Sequence, residues 1–308
     1  MAARLPPVFR SALWRLEALA YDAFSALVRL LPTDLASWSG GALFRALGPL
    51  SGAHRTARRN LVLAFPDMGE ADRRRILSAQ WENFGRYVAE FPLVARLTPA
   101  SGRVEVVGGE RLAAVAAAGR PVVLVSGHFS NLEVMAAVIV AAGVECDITY
   151  RAANNPLIDR RIREGRLAYG VRLLAAKGEE GARELLAALK AGQSVAMMND
   201  QKYEPGIDAP FFGRPVKTLP AAVRLAQRFG TYILPMSIQR RRGARFTCYV
   251  HEPIEVPESG DRAADIEAGV AAINAFIEAR VRERPGEWWW MHRRWPPDAY
   301  AELAARGL

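Results

Sequence analysis

His128 is the residue best placed to move a proton. It follows Gly127 at the end of the apolar run PVVLVS (121–126), and Glu133 stands five positions further on. Such a run ending in Gly-His reads as a strand delivering an imidazole to its carboxyl end, where ligands bind in helix-covered sheets. A carboxylate on one ring nitrogen fixes the tautomer and stabilises the imidazolium. The other nitrogen is then left to take a proton from a substrate hydroxyl. Gly127 permits an unusual backbone conformation or a close substrate approach. The same residues have a second reading. Ser130-Asn131-Leu132-Glu133 matches a capping box, with Ser130 as N-cap and Glu133 reaching back to its N–H. That cap would stabilise a helix by about 1 kcal/mol and contribute nothing to catalysis. Both readings stand at this level.

No G-x-S-x-G elbow is present, and Cys146 and Cys248 lie inside apolar stretches. Attack by the substrate itself, assisted by a base, therefore fits better than a covalent enzyme intermediate. Two buried thiols also suit a reducing compartment. His54, His128, His251 and His292 show no H-x-x-x-H or H-x-H spacing, so neither a metal nor another cofactor is expected.

Two further strand-like runs end in polar residues, one in Tyr150-Arg151 and one in Asn199-Asp200-Gln201. Arg151 is placed as a substrate clamp. Asp200 either orients an arginine or is a turn residue. Arg166 either binds a phosphate or carbonyl oxygen, pairs with Asp200, or shares a solvated helix face with Arg160, Arg161 and Arg163. APFFGRP (209–215) sets apolar rings beside Gly213 and Arg214, as an acyl chain meeting an anionic group would require, or else forms a turn beneath a loop. Asn131 joins Arg151, Arg166, Asp200 and Arg214 as the expected substrate-binding residues. QRRRGARF (239–246) reads as a hairpin tip. Its Arg240, Arg241, Arg242 and Arg245 are either solvated or meet an acidic carrier protein in a salt-sensitive encounter. WWWMHRR (288–294) either seats Trp288 to Trp290 in a membrane interface or supplies core aromatics with a basic end.

These residues need elements to carry them. The chain has 308 residues, half of them hydrophobic and a quarter charged, which suits one large folded unit with a helical appendage. VFRSALWRLEALAYDAFSALVRLL (8–31) has helical spacing of leucines and alanines, and its aromatics and arginines suit either an interfacial helix or one packed on the body. Residues 35–95 read as helical. After residue 103, strands at 103–108, 121–126, 146–151, 171–176, 194–200, 232–240 and 245–256 alternate with helices. A helix at 262–284 precedes the tryptophan-rich segment. The expected fold is α/β: a mixed, mostly parallel sheet sandwiched by helices at 101–308, preceded by a helical region at 1–100. Arg4, Arg10, Arg15 and Glu17 interrupt any secretory apolar region, and no 18-residue apolar stretch exists, so neither a signal peptide nor a membrane-spanning helix is expected. A net charge of +9 favours anionic partners such as lipid head groups or an acidic carrier. Nucleic acid is not expected, because no RNA-binding aromatic signature or zinc-finger spacing appears.

GHFSNLE, YRAANNPLIDRRIREGR, NDQKYEPGIDAPFFGRPVKTLPAAVRLAQRFG and WWWMHRRW, in that order, resemble the lysophospholipid acyltransferase superfamily. Within it they are most similar to the bacterial late acyltransferases of lipid A biosynthesis, the lauroyl/myristoyl transferases. RRNLVLAFPDMGEADRRRILSAQWENFGRYVAEF resembles them too, so the likeness spans roughly residues 50–296. The resemblance implies a glycerol-phosphate acyltransferase-like fold and transfer of a fatty acyl group from acyl-carrier-protein or acyl-CoA to a hydroxyl of an anionic glycolipid. It further implies the cytoplasmic face of the inner membrane, with His128 as base, Glu133 as its charge partner, and Arg166 and Asp200 as functional residues. This chain has Ser130 and Leu132 where the family pattern often has Gly and Trp. The phosphatidylinositol mannoside acyltransferases share much of the pattern, so the motifs leave the acceptor open. A non-catalytic lipid-binding protein on the same fold, and a hydrolase using His128 on water, are the rival readings.

Overall fold

The computed structural model describes residues 7–175 and 178–307. Arg4 and Ala176, the last residue of the strand expected at 171–176, lie outside them. The first part is helical, with α1 at Pro7–Leu30, α2 at Thr33–Leu47, α3 at Gly52–Ala64 and α4 at Glu70–Glu90. Then strands and helices alternate: β1 Val104–Val107, α5 Gly109–Ala118, β2 Val123–Ser126, α6 Leu132–Ala141, β3 Cys146–Tyr150, α7 Pro156–Leu167, β4 Arg172–Ala175, α8 Gly178–Lys190 and β5 Ser194–Met198. They are followed by β6 Ile207–Phe211, β7 Arg214–Thr218, α9 Ala221–Phe229, β8 Ile233–Arg240, β9 Phe246–Val250, α10 Arg262–Glu283 and α11 Pro297–Ala305.

Seven strands form one sheet in the order β1-β9-β8-β2-β5-β3-β4. Every neighbouring pair is parallel except β8 and β9. That exception is the hairpin read from QRRRGARF, since antiparallel neighbours can be joined by a short turn while parallel ones need a crossover. β2 is buried along its whole length, as a central strand covered on both faces must be. Helix α6, LEVMAAVIVA, is apolar all round apart from Glu133 and packs against β3, β8 and β9, while α8 covers β3 to β5 and α9 covers β2 and β8. The late strand ends at Val250, earlier than expected, and APFFGRP lies in neither a simple turn nor a loop. It spans a second, two-stranded sheet formed by β6 and β7. Phe212 (φ 49°) and Gly213 (φ 71°) make its tip, the two positive values that a two-residue hairpin turn requires.

α1 turns a mixed face to the body. Beside buried Ala18 and Val28, Glu17 accepts from Asn155 Nδ2 at 2.8 Å, Asp22 accepts from Arg161 Nη2 at 2.6 Å, and Arg29 donates to the carbonyl of Pro92. Phe9, Leu16, Leu19, Leu27 and Leu30 are exposed, Leu30 by 83%. At about 100° per residue these five fall within an arc of roughly 80°. α2 and the turn after it add exposed Leu35, Trp38, Leu43, Leu47 and Leu50. Among the described residues no helix is long and apolar enough to cross a membrane.

Candidate active site

β2 and β5 are parallel neighbours, and their register pairs Ser126 with Met198. Two residues beyond each lie His128 and Asp200, so the sheet itself sets them side by side. Nδ1 of His128 is 2.7 Å from Oδ1 of Asp200. Oδ2 accepts the backbone N–H of His128 and the indole N–H of Trp288, each at 2.7 Å. Burial alone would raise the Asp200 pKa. The His128 charge and these hydrogen bonds outweigh it and hold the carboxyl well below the usual carboxylate range. An ionised carboxylate only accepts, so Nδ1 carries the proton and Nε2 the lone pair. The pair has an inner and an outer member: the Asp200 side chain keeps 2% of its surface, that of His128 16%.

Gly127 is required for close approach rather than for an unusual backbone angle. A Cβ there would lie 2.9 Å from the Phe129 ring and 3.2 Å from Asp200 Oδ2, so a side chain would have to displace the ring and would crowd the carboxylate.

Glu133 is not the partner of His128, and this corrects the role expected for it. It is 1% exposed, and both its oxygens are occupied elsewhere. Arg166 binds it through Nε, at 2.9 Å, and Nη2, while Tyr169 Oη donates at 2.7 Å and Tyr87 Oη at 3.2 Å. Asp200 already holds Nδ1, so no ring nitrogen is left for Glu133 except the one needed for chemistry. Arg166 accordingly pairs with Glu133 and not with Asp200, and it alone of its helix's four arginines turns inward. Arg160, Arg161 and Arg163 pair with Glu164, Asp22 and Asp159. Burial lowers the Arg166 pKa, but the Glu133 contact overrides it and drives it upward. Burial, reinforced by the Glu133 charge, raises the Tyr87 and Tyr169 hydroxyls.

The capping expectation is off by one residue. Asn131 caps α6, its Oδ1 accepting from Glu133 N at 3.2 Å and Val134 N at 3.4 Å, while Nδ2 donates to buried Glu90 at 2.8 Å. Ser130 cannot cap because it occupies the left-handed region (φ 40°) and its N–H donates to the carbonyl of Glu287. Fully buried and saturated, Asn131 is a cap anchored to α4, not a substrate contact. Arg214 is corrected as well. It is exposed on the β6–β7 hairpin near Glu302, and the rings beside it, Phe211 and Phe212, are buried against Trp288 and Trp295. Trp288 and Trp290 are also core residues. At the other hairpin tip Arg240 is half-buried and forms a two-pronged pair with Glu90.

A cavity of about 240 Å³ opens beside His128. Glu133, Arg166, Tyr87, Trp289 and exposed Arg151 line its polar end; Leu124, Met135, Ala136, Ile139, Ile148, Val171, Leu173, Ala196 and Met236 line the rest. It runs between α6 and the sheet, where Ala136 and Ala196 leave room. Burial pushes the Cys248 thiol up to about 12 and that of Cys146 higher still, so neither is a nucleophile. Four residues around His128 carried no signal of their own in the sequence. They are Trp288 on Asp200, Trp289 at 5.2 Å between ring centroids, His292 at 6.0 Å, and Gln201, whose amide nitrogen is 3.5 Å from Nε2. The first three lie in the segment 288–294, recognisable as unusual, but its spacing does not tell which tryptophan faces the cavity.

A family model described as bacterial lipid A biosynthesis acyltransferase matches residues 10–296. The chain is 29% identical over 251 residues to the lipid A biosynthesis lauroyltransferase of Escherichia coli K12, covering 78% of each chain. It is 27% identical to the palmitoleoyltransferase of the same organism, covering 77% of each. A solved structure of the 1-acyl-sn-glycerophosphate acyltransferase PlsC from Thermotoga maritima aligns over 83% of this chain and 96% of that one, at 15% identity and a TM-score of 0.36. That likeness is too distant to carry an argument.

Proposed function

The chain belongs to the bacterial lipid A biosynthesis acyltransferase family, and from that premise we propose that it moves a fatty acyl chain from an acyl thioester to a hydroxyl of a lipid A precursor, with His128 as general base. One observation carries the assignment of the base. His128, fixed in one tautomer by an ionised Asp200, stands at the polar end of an otherwise apolar cavity. Such a cavity suits a hydrocarbon chain whose reacting carbon stops at the polar end.

In the proposed reaction, Nε2 of His128 takes the proton of the acceptor hydroxyl as its oxygen attacks the thioester carbonyl. The carbonyl electrons move onto oxygen. When they return, the C–S bond breaks, an ester C–O bond remains, and the imidazolium gives its proton to the departing thiolate. Asp200 stabilises the imidazolium throughout. Arg166, a residue of the cavity wall, is locked to Glu133 by Nε and Nη2, and its buried Nη1 has no acceptor among the described residues. That group is suited to the oxyanion. Arg151, exposed at the mouth, is suited to an anionic group of either substrate. The donor is acyl-carrier-protein or acyl-CoA. The outward apolar face of α1 supports an interfacial seat on the cytoplasmic face of the inner membrane, where both substrates are accessible.

The test is His128→Ala. It should abolish transfer from an acyl thioester to a lipid A precursor, read by mass spectrometry of the lipid, while the thermal midpoint stays within a few degrees. Continued turnover would reject His128 as base. Thioester consumption by the unaltered protein without an acylated lipid would indicate a hydrolase instead.

A further inference from the structure

Trp289 is held by its backbone and by its ring. The segment 287–289 docks antiparallel on 128–130: Phe129 and Trp288 form a bridge, and Trp289 N donates to the carbonyl of His128 at 3.2 Å. The indole packs edge-on against Tyr87 at 4.9 Å and Phe84 at 5.1 Å, and tilts towards the His128 ring. Its Nε1–H is buried and meets no acceptor among the described residues, although the ring lines the cavity. Its neighbours differ: the indole N–H of Trp288 goes to Asp200 and that of Trp290 to the carbonyl of Pro285. Trp295 also leaves its N–H without an acceptor, but it is packed in the core and does not line the cavity. Buried N–H donors are normally satisfied, and leaving one unmade is costly. Here two residues that each carry such a donor, Trp289 at Nε1 and Arg166 at Nη1, are among those lining one cavity together with the proposed base.

We propose that Trp289 is a catalytic residue: its indole N–H, together with Nη1 of Arg166, forms the binding site for the thioester carbonyl oxygen and donates to the oxyanion that develops there. The proposal rests on the acyl-transfer reading above. The site fits a neutral carbonyl in the ground state and an alkoxide in the tetrahedral intermediate. A rigid N–H held by two aromatic neighbours needs little reorganisation as the charge appears. The steps are those already given, with the carbonyl electron pair resting on an oxygen that Trp289 and Arg166 contact. No further reactant enters.

Trp289→Phe keeps an aromatic ring against Tyr87 and Phe84 and removes the donor together with part of the indole's volume. Loss of one oxyanion donor lowers kcat by about 100- to 1000-fold; the donor KM should change less than about threefold, because the ground-state contact is weaker. A spectroscopic measurement separates this from a packing role. With a 13C-carbonyl acyl thioester bound to the inert His128→Ala protein, the carbonyl stretch should lie below its frequency in apolar solvent. Adding Trp289→Phe should raise it. Full kcat in Trp289→Phe, or an identical stretch in both backgrounds, overturns the role of Trp289 while leaving acyl transfer intact. A thioester that gives no bound carbonyl band, with no turnover in the unaltered protein, overturns both together.

Discussion

Exchanging Asp200 for asparagine removes one charge from the site and almost none of its shape. In the structure Oδ2 receives two N–H groups and Oδ1 faces Nδ1 of His128. An amide satisfies this network in one orientation only. Its oxygen must take the place of Oδ2, and its NH2 must donate to Nδ1. The ring proton is then forced onto Nε2, where the lone pair is needed, and the imidazolium loses its counter-charge. With charge centres about 4 Å apart and an effective dielectric near 20, that counter-charge is worth about 4 kcal/mol. The Asp200 side chain is only 2% exposed, so salt screens little of it. A 4 kcal/mol loss in the transition state is roughly a thousandfold in kcat. Asp200→Asn should therefore lower kcat about 1000-fold, measured as acylated lipid formed under saturating donor, with a thermal midpoint close to that of the unaltered protein. Glu133→Gln should behave in the opposite sense. It removes one partner of a buried pair and strands the Arg166 guanidinium, a change that costs about 3–5 kcal/mol of stability. For a chain of this size that is a fall of about 5–8 °C in Tm. Asp200→Asn with kcat within tenfold of normal, beside a fully stable and inactive Glu133→Gln, would refute this division of labour and restore Glu133 as the partner of His128.

Two further outcomes follow from the cavity and from α1. Ala196→Phe would fill the apolar end with a ring occupying the room of about four methylenes; at about 0.8 kcal/mol each, a long-chain donor loses roughly 200-fold in kcat/KM while a donor shortened by four carbons loses little. A uniform loss across chain lengths would show that the acyl chain lies elsewhere. Leu27→Glu with Leu30→Glu changes two exposed side chains, so folding should be unaffected while flotation with vesicles containing anionic lipid drops about 30-fold or more. Unchanged flotation would rule out this face of α1 as the membrane seat.

The divide between what was legible in the sequence and what was not follows the range of the interactions. Strand ends are local: β-branched runs stopping at Gly127-His128, Tyr150-Arg151 and Asn199-Asp200 announce themselves, and all three belong to one sheet edge. Strand order is not local. β5 enters the sheet between β2 and β3 although 68 residues separate Ser126 from Ser194, and nothing in the composition of either strand says so. The partner of His128 depends on that insertion. A carboxylate five residues away had the advantage of proximity along the chain, but Ser130 takes a left-handed conformation and Asn131 caps the helix. The first turn of α6 then carries Glu133 to the guanidinium that α7 sends inward. The family resemblance implied Glu133 as the partner of His128 and named Arg166 and Asp200 without partners; the register of β2 on β5 sets Asp200 on His128 instead. Arg214 was misplaced for a related reason. Apolar rings beside a cation read alike whether they line a groove or fill a core, and only the packing of Phe211 and Phe212 on Trp288 and Trp295 decides it.

The two buried carboxylates illustrate one rule. Both sit near His128 in sequence or in space, both are almost wholly buried, and each must be matched by positive charge or by donors. Arg166 is permanently charged, so its partner Glu133 never needs to release it, and the pair is a fixed part of the wall. His128 is charged for only part of a reaction cycle, so Asp200 must remain stable whether or not the ring is an imidazolium. Its Oδ2 meets that requirement through donors that do not titrate, the backbone N–H of His128 and the indole N–H of Trp288. A carboxylate secured in this way holds a base in readiness. One clamped by an arginine holds a shape.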